Sequence, residues 1–438
     1  MDKVDIGLLS LVATLVLLAL RLPIGIALAL VSFVGIAAIT SVGAAWGIVS
    51  TIPYSFVATW EFSAVPMFLL MGYLAARTDM TGGLFQAMRI LLARVPGSLA
   101  SASVGASALF AAASGSSLAT SAALSKIAVP EMLRAGYDKG LATGVVAAAG
   151  TLSALIPPSI LLILYGVFAE VSISQLLIAG ILPGLLTGGV YTAMILIRAR
   201  LQPHIAPQLE AAEHATLHRD RMRSLRETWP LAALILGIIG GLYGGIVTPT
   251  EAGGVGAALA LVIALLQRRI GLRGMIEALR EAMGVTAQIF FVGMGAVMYT
   301  RLLSLTGISA LLTSAVGDFA GDPVLVVIAI SVIYLILGMF LDPLGIILIT
   351  MPVFLPMIEA LDLNLIWFGI IVVKYIEIGM ITPPMGLNVF VVKSVVGDRV
   401  PIWTIFRGIG WFLACEVVVM TLLISFPQIS LFLPELMR

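Results

Sequence analysis

The 438 residues are 60% hydrophobic and 11% charged, with a mean hydropathy of +1.13, where a soluble globular chain carries about 45–50% apolar and about 25% charged residues. That composition excludes a soluble enzyme and a disordered chain, and 24 Lys+Arg against 23 Asp+Glu leaves no basic field for a nucleic-acid partner. The lone cysteine, Cys415, excludes a disulfide framework and a thiolate metal cluster, so the sequence reads as an all-α polytopic membrane protein in contact with lipid.

Apolar stretches of the length a membrane helix needs, about 20 residues, lie near 4–21, 23–41, 60–77, 140–170, 175–197, 229–247, 250–267, 284–302, 365–397 and 402–427. Two further stretches, 99–129 and 323–357, are each too long for one helix and are interrupted, at Ala113–Ser117 and Leu341–Pro343. Each reads either as a re-entrant hairpin with a polar tip or as two ordinary spans around a tight loop, and arms below about 20 residues favour the hairpin. The start Met1-Asp2-Lys3 lacks the basic region and cleavage site of a signal peptide, so residue 1 onward is expected in the mature chain.

Basic residues concentrate in 77–97, 126–139, 198–229, 268–280 and 393–407, whereas 42–59 and 171–176 carry none. The positive side faces the cytoplasm, which leaves both termini outside; Lys3, Arg301, Lys374 and Arg438 fall off that side.

A shift of 226 residues carries Pro23 onto Pro249, Pro130 onto Pro356, Pro157-Pro158 onto Pro383-Pro384 and Tyr73 onto Tyr299. The same shift overlays the two interrupted stretches and the two spans that contain Pro-Pro. The organisation predicted is a first repeat over 1–200 (hairpin 99–129, broken helix 140–170), a cytoplasmic polar linker over 201–226, and a second repeat over 227–438 (hairpin 323–357, broken helix 365–397). Five spans per half is an odd number, so the second half enters from the opposite side. Such an inverted repeat is the design of secondary transporters with alternating access.

Irregular backbone at membrane depth is tolerated only where protein buries it or a wet cavity touches it. Four such places occur: Ser114-Gly115-Ser116-Ser117, Gly150 to Ser159, Gly338 to Pro343 and Glu377 to Asn388. A double proline removes two N–H donors and frees carbonyls one turn earlier. Those carbonyls with Ser, Thr and Asn oxygens suit Na⁺, and half-helix N-termini at the tips suit an anion. The competing structural readings are a simple kink at Pro-Pro and small-residue packing for the serines. Lys374 and Glu377, three residues apart, can neutralise each other on one helix face, and a functional role for Lys374, or one for Glu377 in orienting the second break, is equally open. Asp342 either caps a half-helix or ligates a cation. Glu61, Glu170 and Glu251 read as solvated span ends, Glu416 has no evident partner, and His204, His214 and His218 have no zinc-ligand spacing.

The stretches FAAASGSSLATSAALSKIAVPEM (110–132), GTLSALIPPSILLILYG (150–166), GIVTPTEAGGVGA (245–257), LGMFLDPLGIILITMPVFLPM (337–357) and IEIGMITPPMGLNVFVV (376–392) resemble the large membrane subunit of TRAP transporters, the DctM-like family, over essentially the whole chain. The resemblance implies a Na⁺-coupled elevator importing a small carboxylate, a C4-dicarboxylate or sugar acid, with two or more co-transported Na⁺ and no prosthetic group. It implies a small four-helix membrane subunit and a periplasmic binding protein as partners. The chain begins at its first span, so it is expected to be unfused and to need the small subunit separately. Carried over, Ser114, Gly115, Ser116 and Ser117 with Gly150, Thr151, Ser153 and Pro157 surround one Na⁺. Gly338 and Asp342 with Gly379, Thr382, Pro383, Gly386 and Asn388 surround the other. The cargo lies between the tips, within reach of Ser114, Ser116, Ser117, Thr151 and Asn388. No Arg lies at either tip, so hydroxyls and backbone dipoles carry much of the recognition. The alternative is an autonomous Na⁺- or H⁺-coupled organic-anion transporter. The spans hold no His, HExxH or GxSxG, which argues against an intramembrane enzyme, and no Walker A motif is present for an ATP-driven pump.

Overall fold

The computed structural model describes residues 2–78, 80–207, 228–308, 311 and 323–436, of which 80–82 by backbone alone. Among these the regular structure is helical throughout. Most of the polar linker, with His214 and His218, lies outside the described residues, and His204 is exposed in a short turn at Pro203–Ile205.

Helix α1 (Lys3–Ala19) starts on an Asp2/Asp5 capping box. Pro23 precedes α2 (Ile24–Ile39), and Ser41 caps α3 (Val42–Val57) by accepting from the Ala44 N–H. A 57° bend with a short turn at Trp60–Ser63 separates α3 from α4 (Ala64–Arg77). After α5 (Met80–Leu91) come α6 (Ser98–Ser114) and α7 (Ser117–Arg134). Next is α8 (Lys139–Gly150), whose chain tightens into a turn at Thr151–Ala154, passes the cis Pro157-Pro158 bond and resumes as α9 (Ile160–Phe168). Helices α10 (Ile173–Ala179) and α11 (Ile181–Leu201) complete this half.

The second half runs α12 (Thr228–Tyr243), α13 (Pro249–Leu266) on a Thr248/Glu251 capping box, and α14 (Leu272–Thr306). Helix α14 is 35 residues long, about 52 Å at 1.5 Å per residue. Then follow α15 (Pro323–Phe340), α16 (Pro343–Ala360), α17 (Leu365–Gly379), the cis Pro383-Pro384 bond, α18 (Leu387–Val396), α19 (Ile402–Ser425) and α20 (Gln428–Glu435). The starts of α2, α6, α7, α8 and α9 land within one residue of the starts of α13, α15, α16, α17 and α18 under the 226-residue shift. Packing follows the same pairing across the halves: α2 lies on α14 and α13 on α4, α7 on α18 and α16 on α9.

Both interrupted stretches break where the sequence places the breaks, but their arms are 17 or 18 residues long. That is about 26 Å, close to the roughly 30 Å of a bilayer core. Residues 343–360 even form one of six described helices long and apolar enough to cross a membrane. This is fewer than the ten spans read from hydropathy. The difference arises because α1 has 17 residues, α2 and α12 are shorter apolar helices, 60–77 is bent against α3, and the Pro-Pro spans are cut into α8/α9 and α17/α18, whereas α15 and α16 add two helices from the second interrupted stretch.

The centre of the molecule is built on α8 and α17. Every residue from Gly140 to Gly150 is buried, and all of α17 except Leu365 and Tyr375. A helix apolar all round is one with neighbours all round. Lipid tails are as apolar as Leu, so close backbone contact and polar links hold such helices together. Gly408 of α19 sits against Gly140 of α8, where an added Cβ would lie 2.0 Å from the Gly140 carbonyl oxygen. The outside is apolar: Leu325, Ile328, Val332 and Ile336 on α15 and Leu9, Val12 and Val16 on α1 are exposed, as a lipid-facing surface requires.

Candidate functional site

The first break is a hydroxyl cluster over bare backbone. Ser116 caps α7 by accepting from the Ala119 N–H at 3.4 Å. Thr120, one turn into α7, lies 2.7 Å from the Ser114 hydroxyl and accepts from the Ser153 hydroxyl at 2.7 Å. Ser121 Oγ is buried with no hydrogen-bond partner among the described residues, beside Gly150, where a Cβ would come within 2.0 Å of it. Gly115 takes φ +58°, and its Cα faces the Pro158 carbonyl, 2.7 Å from where a Cβ would stand. Glycine is required there twice over, for the left-handed backbone and for the approach. We expect Gly115→Ala to cut uptake at least tenfold while leaving expression near wild type, measured by transport in proteoliposomes; unchanged uptake contradicts the close approach.

The second break is arranged differently. Asp342 caps α16 by accepting from the Gly345 N–H at 2.9 Å. Gly338 and Gly379 meet backbone to backbone, a Cβ on Gly379 falling 2.5 Å from the Gly338 Cα, so these two glycines set the crossing of α15 and α17. The Thr382 hydroxyl donates to the Ile378 carbonyl at 2.6 Å. Gly386 takes φ +62°, and the Asn388 N–H donates to the Met380 carbonyl at 3.1 Å. Asn388 is fully buried; its amide donates to the Ala147 carbonyl of α8 at 3.4 Å, and its Oδ1 has no partner among the described residues. Ser121 Oγ at the first break and Asn388 Oδ1 at the second are each an orphaned neutral oxygen, the type of donor that suits a hard monovalent cation. Among the described residues no group of three His, Cys, Asp or Glu is placed to hold a metal ion.

A cavity of about 720 Å³ opens where the two breaks meet. Ser114, Gly115, Ser116 and Ser117 line it from one side and Asp342, Pro343 and Leu344 from the other, with Ile160 of α9 and Glu377 of α17 between. Its mouth carries Lys126 and Arg77, the latter bonded to Glu277 and Glu281 at 2.7 Å each. Thr151 and Asn388, expected at the cargo, do not line it. Thr151 donates its hydroxyl to the Ala148 carbonyl, and the Asn388 amide N–H donates to the Ala147 carbonyl of α8. Gly150, Ser153, Pro157, Thr382, Pro383 and Gly386 likewise do not line the cavity. A second cavity, about 1020 Å³, is lined by Glu61, Glu170, Trp60 and Arg301.

Of the readings open for Lys374 and Glu377, mutual neutralisation does not occur. Lys374 Nζ bonds Glu416 of α19 at 2.6 Å, and the Tyr191 hydroxyl of α11 donates to the same carboxylate. This gives Glu416 the partner that the sequence does not reveal. Glu377 instead accepts from the Ser117 hydroxyl at 2.9 Å, a contact spanning 260 residues. Thr120 and Ser121 are the site residues that sequence reading missed, and it did not foresee the contact of Glu377 with Ser117. The first two follow Ser117 by three and four residues, the spacing of one helix face, and that spacing could have found them.

A helical membrane chain whose two paired interruptions meet at one cavity is a membrane transporter. The chain belongs to the family described as tripartite ATP-independent periplasmic transporter, DctM component, whose model matches residues 11–429. It is 35% identical over 373 residues to the C4-dicarboxylate TRAP transporter large permease protein DctM of Pseudomonas aeruginosa, covering 85% of this chain and 86% of that one. It is 32% identical over 374 residues to the sialic acid TRAP transporter large permease protein SiaM of Vibrio cholerae, covering 85% and 86%. In fold it is similar to the YdaH transporter of Alcanivorax borkumensis, with a TM-score of 0.63 at 16% identity over 88% of this chain and 89% of that one. The protein is therefore a TRAP transporter large membrane subunit, multi-pass in the inner membrane.

Proposed function

We propose that this subunit imports a small carboxylate, a C4-dicarboxylate, sugar acid or similar, delivered by a periplasmic binding protein and driven by Na⁺. A small four-helix membrane subunit completes the complex. The observation that carries this reading is the cavity in which Ser114–Ser117 and Asp342 face each other, since both interrupted elements of the two halves deliver their tips to one place. In this reading the halves are inverted repeats, 98–134 and 323–360 are re-entrant hairpins, and both termini are periplasmic. The Arg77/Lys126 mouth then faces the cytoplasm, and the described state is open inward. Transport is an elevator movement of the hairpins with α8/α9 and α17/α18 against the remaining helices.

Na⁺ supplies the driving gradient and cancels the charge of the cargo. Ser114, Thr120, Ser121 and Ser153 offer it neutral oxygens at the first break, and Asp342 with Asn388 and the freed carbonyls before Pro383 at the second. The N-termini of α7 and α16 point unpaired N–H groups at the anion. Thr120→Val leaves the Ser114 and Ser153 hydroxyls without their shared partner. It raises the half-saturating Na⁺ concentration about tenfold, equal to about 1.4 kcal/mol, and uptake titrated against Na⁺ measures it. The reading itself is tested in proteoliposomes holding the complex. A carboxylate should enter only with a Na⁺ gradient and the binding protein present. Transport by this chain alone supports the autonomous-transporter alternative.

A further inference from the structure

Arg301 stands apart from the charge pattern of the chain. Of the four basic residues that fall off the positive side, Lys3 and Arg438 stand at the two ends of the sequence and Lys374 is buried against Glu416. Arg301 instead lines the second cavity, of about 1020 Å³, together with Glu61 and Glu170. It is exposed, and its guanidinium has neither an ion-pair nor a hydrogen-bond partner among the described residues.

Two relations tie this cavity to the one between the tips. Under the 226-residue shift the ends of α4 and α14 correspond, Tyr73 matching Tyr299. Tyr73 and Arg77 of α4 line the first cavity, and Thr300 and Arg301 of α14 line the second. Each cavity therefore carries an arginine near the equivalent end of an equivalent helix. Arg77 is held by Glu277 and Glu281, whereas Arg301 is left free. The other relation is depth. Glu281 at one cavity and Arg301 at the other are twenty residues apart on α14, about 30 Å, the thickness of a bilayer core. Helix α9 lies between them: Ile160 and Leu161 line the first cavity, Gly166, Val167 and Phe168 the second.

A guanidinium with no partner, set in a concave and accessible place, matches both oxygens of a carboxylate with its planar fork. We infer that the Arg301 cavity is a separate entry site, which takes the carboxylate of the cargo without Na⁺ on the side opposite the Arg77/Lys126 mouth, before the acid reaches the space between the tips. The hydroxyls of Ser174 and Thr250 and the exposed indole of Trp60 line the same cavity and suit the polar groups and carbon frame of a small organic acid. Neither Ser121 nor Asn388, whose orphaned oxygens suit Na⁺, lines it. Glu61 and Glu170 oppose the anion and keep the hold weak. A site along a path must bind firmly enough to be entered and loosely enough to be left.

This inference rests on the carboxylate-import reading, and two measurements separate them. Binding of succinate, gluconate and N-acetylneuraminate to the purified complex of both membrane subunits is followed by saturation-transfer NMR in Na⁺-free choline buffer, without the binding protein. Uptake of the same acids is followed in proteoliposomes with a Na⁺ gradient and the loaded binding protein. Wild type should bind the acid it imports in the Na⁺-free buffer, and more weakly as ionic strength rises. Arg301→Gln should weaken that binding about tenfold, the worth of a hydrogen bond to a charged group, and slow uptake several-fold. Arg301→Lys, which keeps the charge and loses the fork, should fall between. Glu61→Gln with Glu170→Gln should tighten binding several-fold, a change that damage to the fold does not produce. Absence of Na⁺-free binding by wild type overturns the inference, as does an Arg301→Gln variant that binds the acid as wild type does. Arg301→Gln that keeps acid binding but no longer captures the binding protein in a pull-down makes the residue a protein-docking contact, and overturns it too. Import of none of the three acids by wild type sinks the import reading; Na⁺-free binding that depends on Arg301 would then still establish the site.

Discussion

Lys374→Met should destabilise the protein by about 3–5 kcal/mol, the cost of breaking a buried ion pair by removing one partner. Lys374 and Glu416 are 1% and 2% exposed and join α17 to α19, with Tyr191 of α11 on the same carboxylate. Removal of the ammonium leaves a buried carboxylate with one hydroxyl donor. Thermal unfolding in detergent should therefore begin far below the wild-type temperature, and much of the variant should aggregate. The double variant Lys374→Met/Glu416→Gln removes the orphaned charge and keeps an acceptor for Tyr191, so most of the stability returns. Transport should return with it, because neither residue lines the cavity between the tips. A stable Lys374→Met that has lost uptake would instead place this pair in the transport path.

Gly408→Ala should be nearly as damaging, for a purely steric reason. Its Cβ would stand 2.0 Å from the Gly140 carbonyl oxygen and 2.4 Å from the Gly140 carbonyl carbon. Gly144 meets Gly408 from the same side, a Cβ there falling 2.8 Å from the Gly408 carbonyl carbon. These neighbours are backbone, so no side chain can rotate away and α19 must separate from α8. Overpacking typically costs about 1–3 kcal/mol and more where backbone must move. Helix α8 ends at Gly150, so its displacement also shifts the first break away from Ser121. Both thermal stability and uptake should fall. Gly410→Ala, two residues on, meets nothing within 4 Å and should behave as wild type. Equal behaviour of the two variants would contradict the crossing.

What was legible in the sequence was backbone chemistry. Pro157-Pro158, Pro383-Pro384, Gly115 and Asp342 dictate breaks and caps by themselves, and helix starts in the two halves match under the shift read from prolines alone. Local composition also showed that Ser114–Ser117 is polar backbone in an apolar setting. What was not legible was side-chain pairing across distance. Lys374 has a carboxylate three residues away in Glu377, the nearer choice on one helix, yet it pairs with Glu416 because α19 crosses α17 on that face. Glu377 is thereby released to Ser117, a contact no local spacing encodes. Thr151 and Asn388 have the right chemistry for a ligand, but the turn after α8 and the packing of α18 on α8 point them into protein. Arm length was also uninformative, because 17 or 18 residues lie between half a bilayer and a comfortable span.

The most direct test is a cryo-EM map of the complex trapped with Na⁺ and the carboxylate that its binding protein delivers. Density for the organic acid should lie between Ser114–Ser117 and Asp342, with Glu377 at its side and helix interrupted at both tips. Cargo density in the Arg301 cavity instead, with the space between the tips closed by continuous helix, would contradict the site proposed.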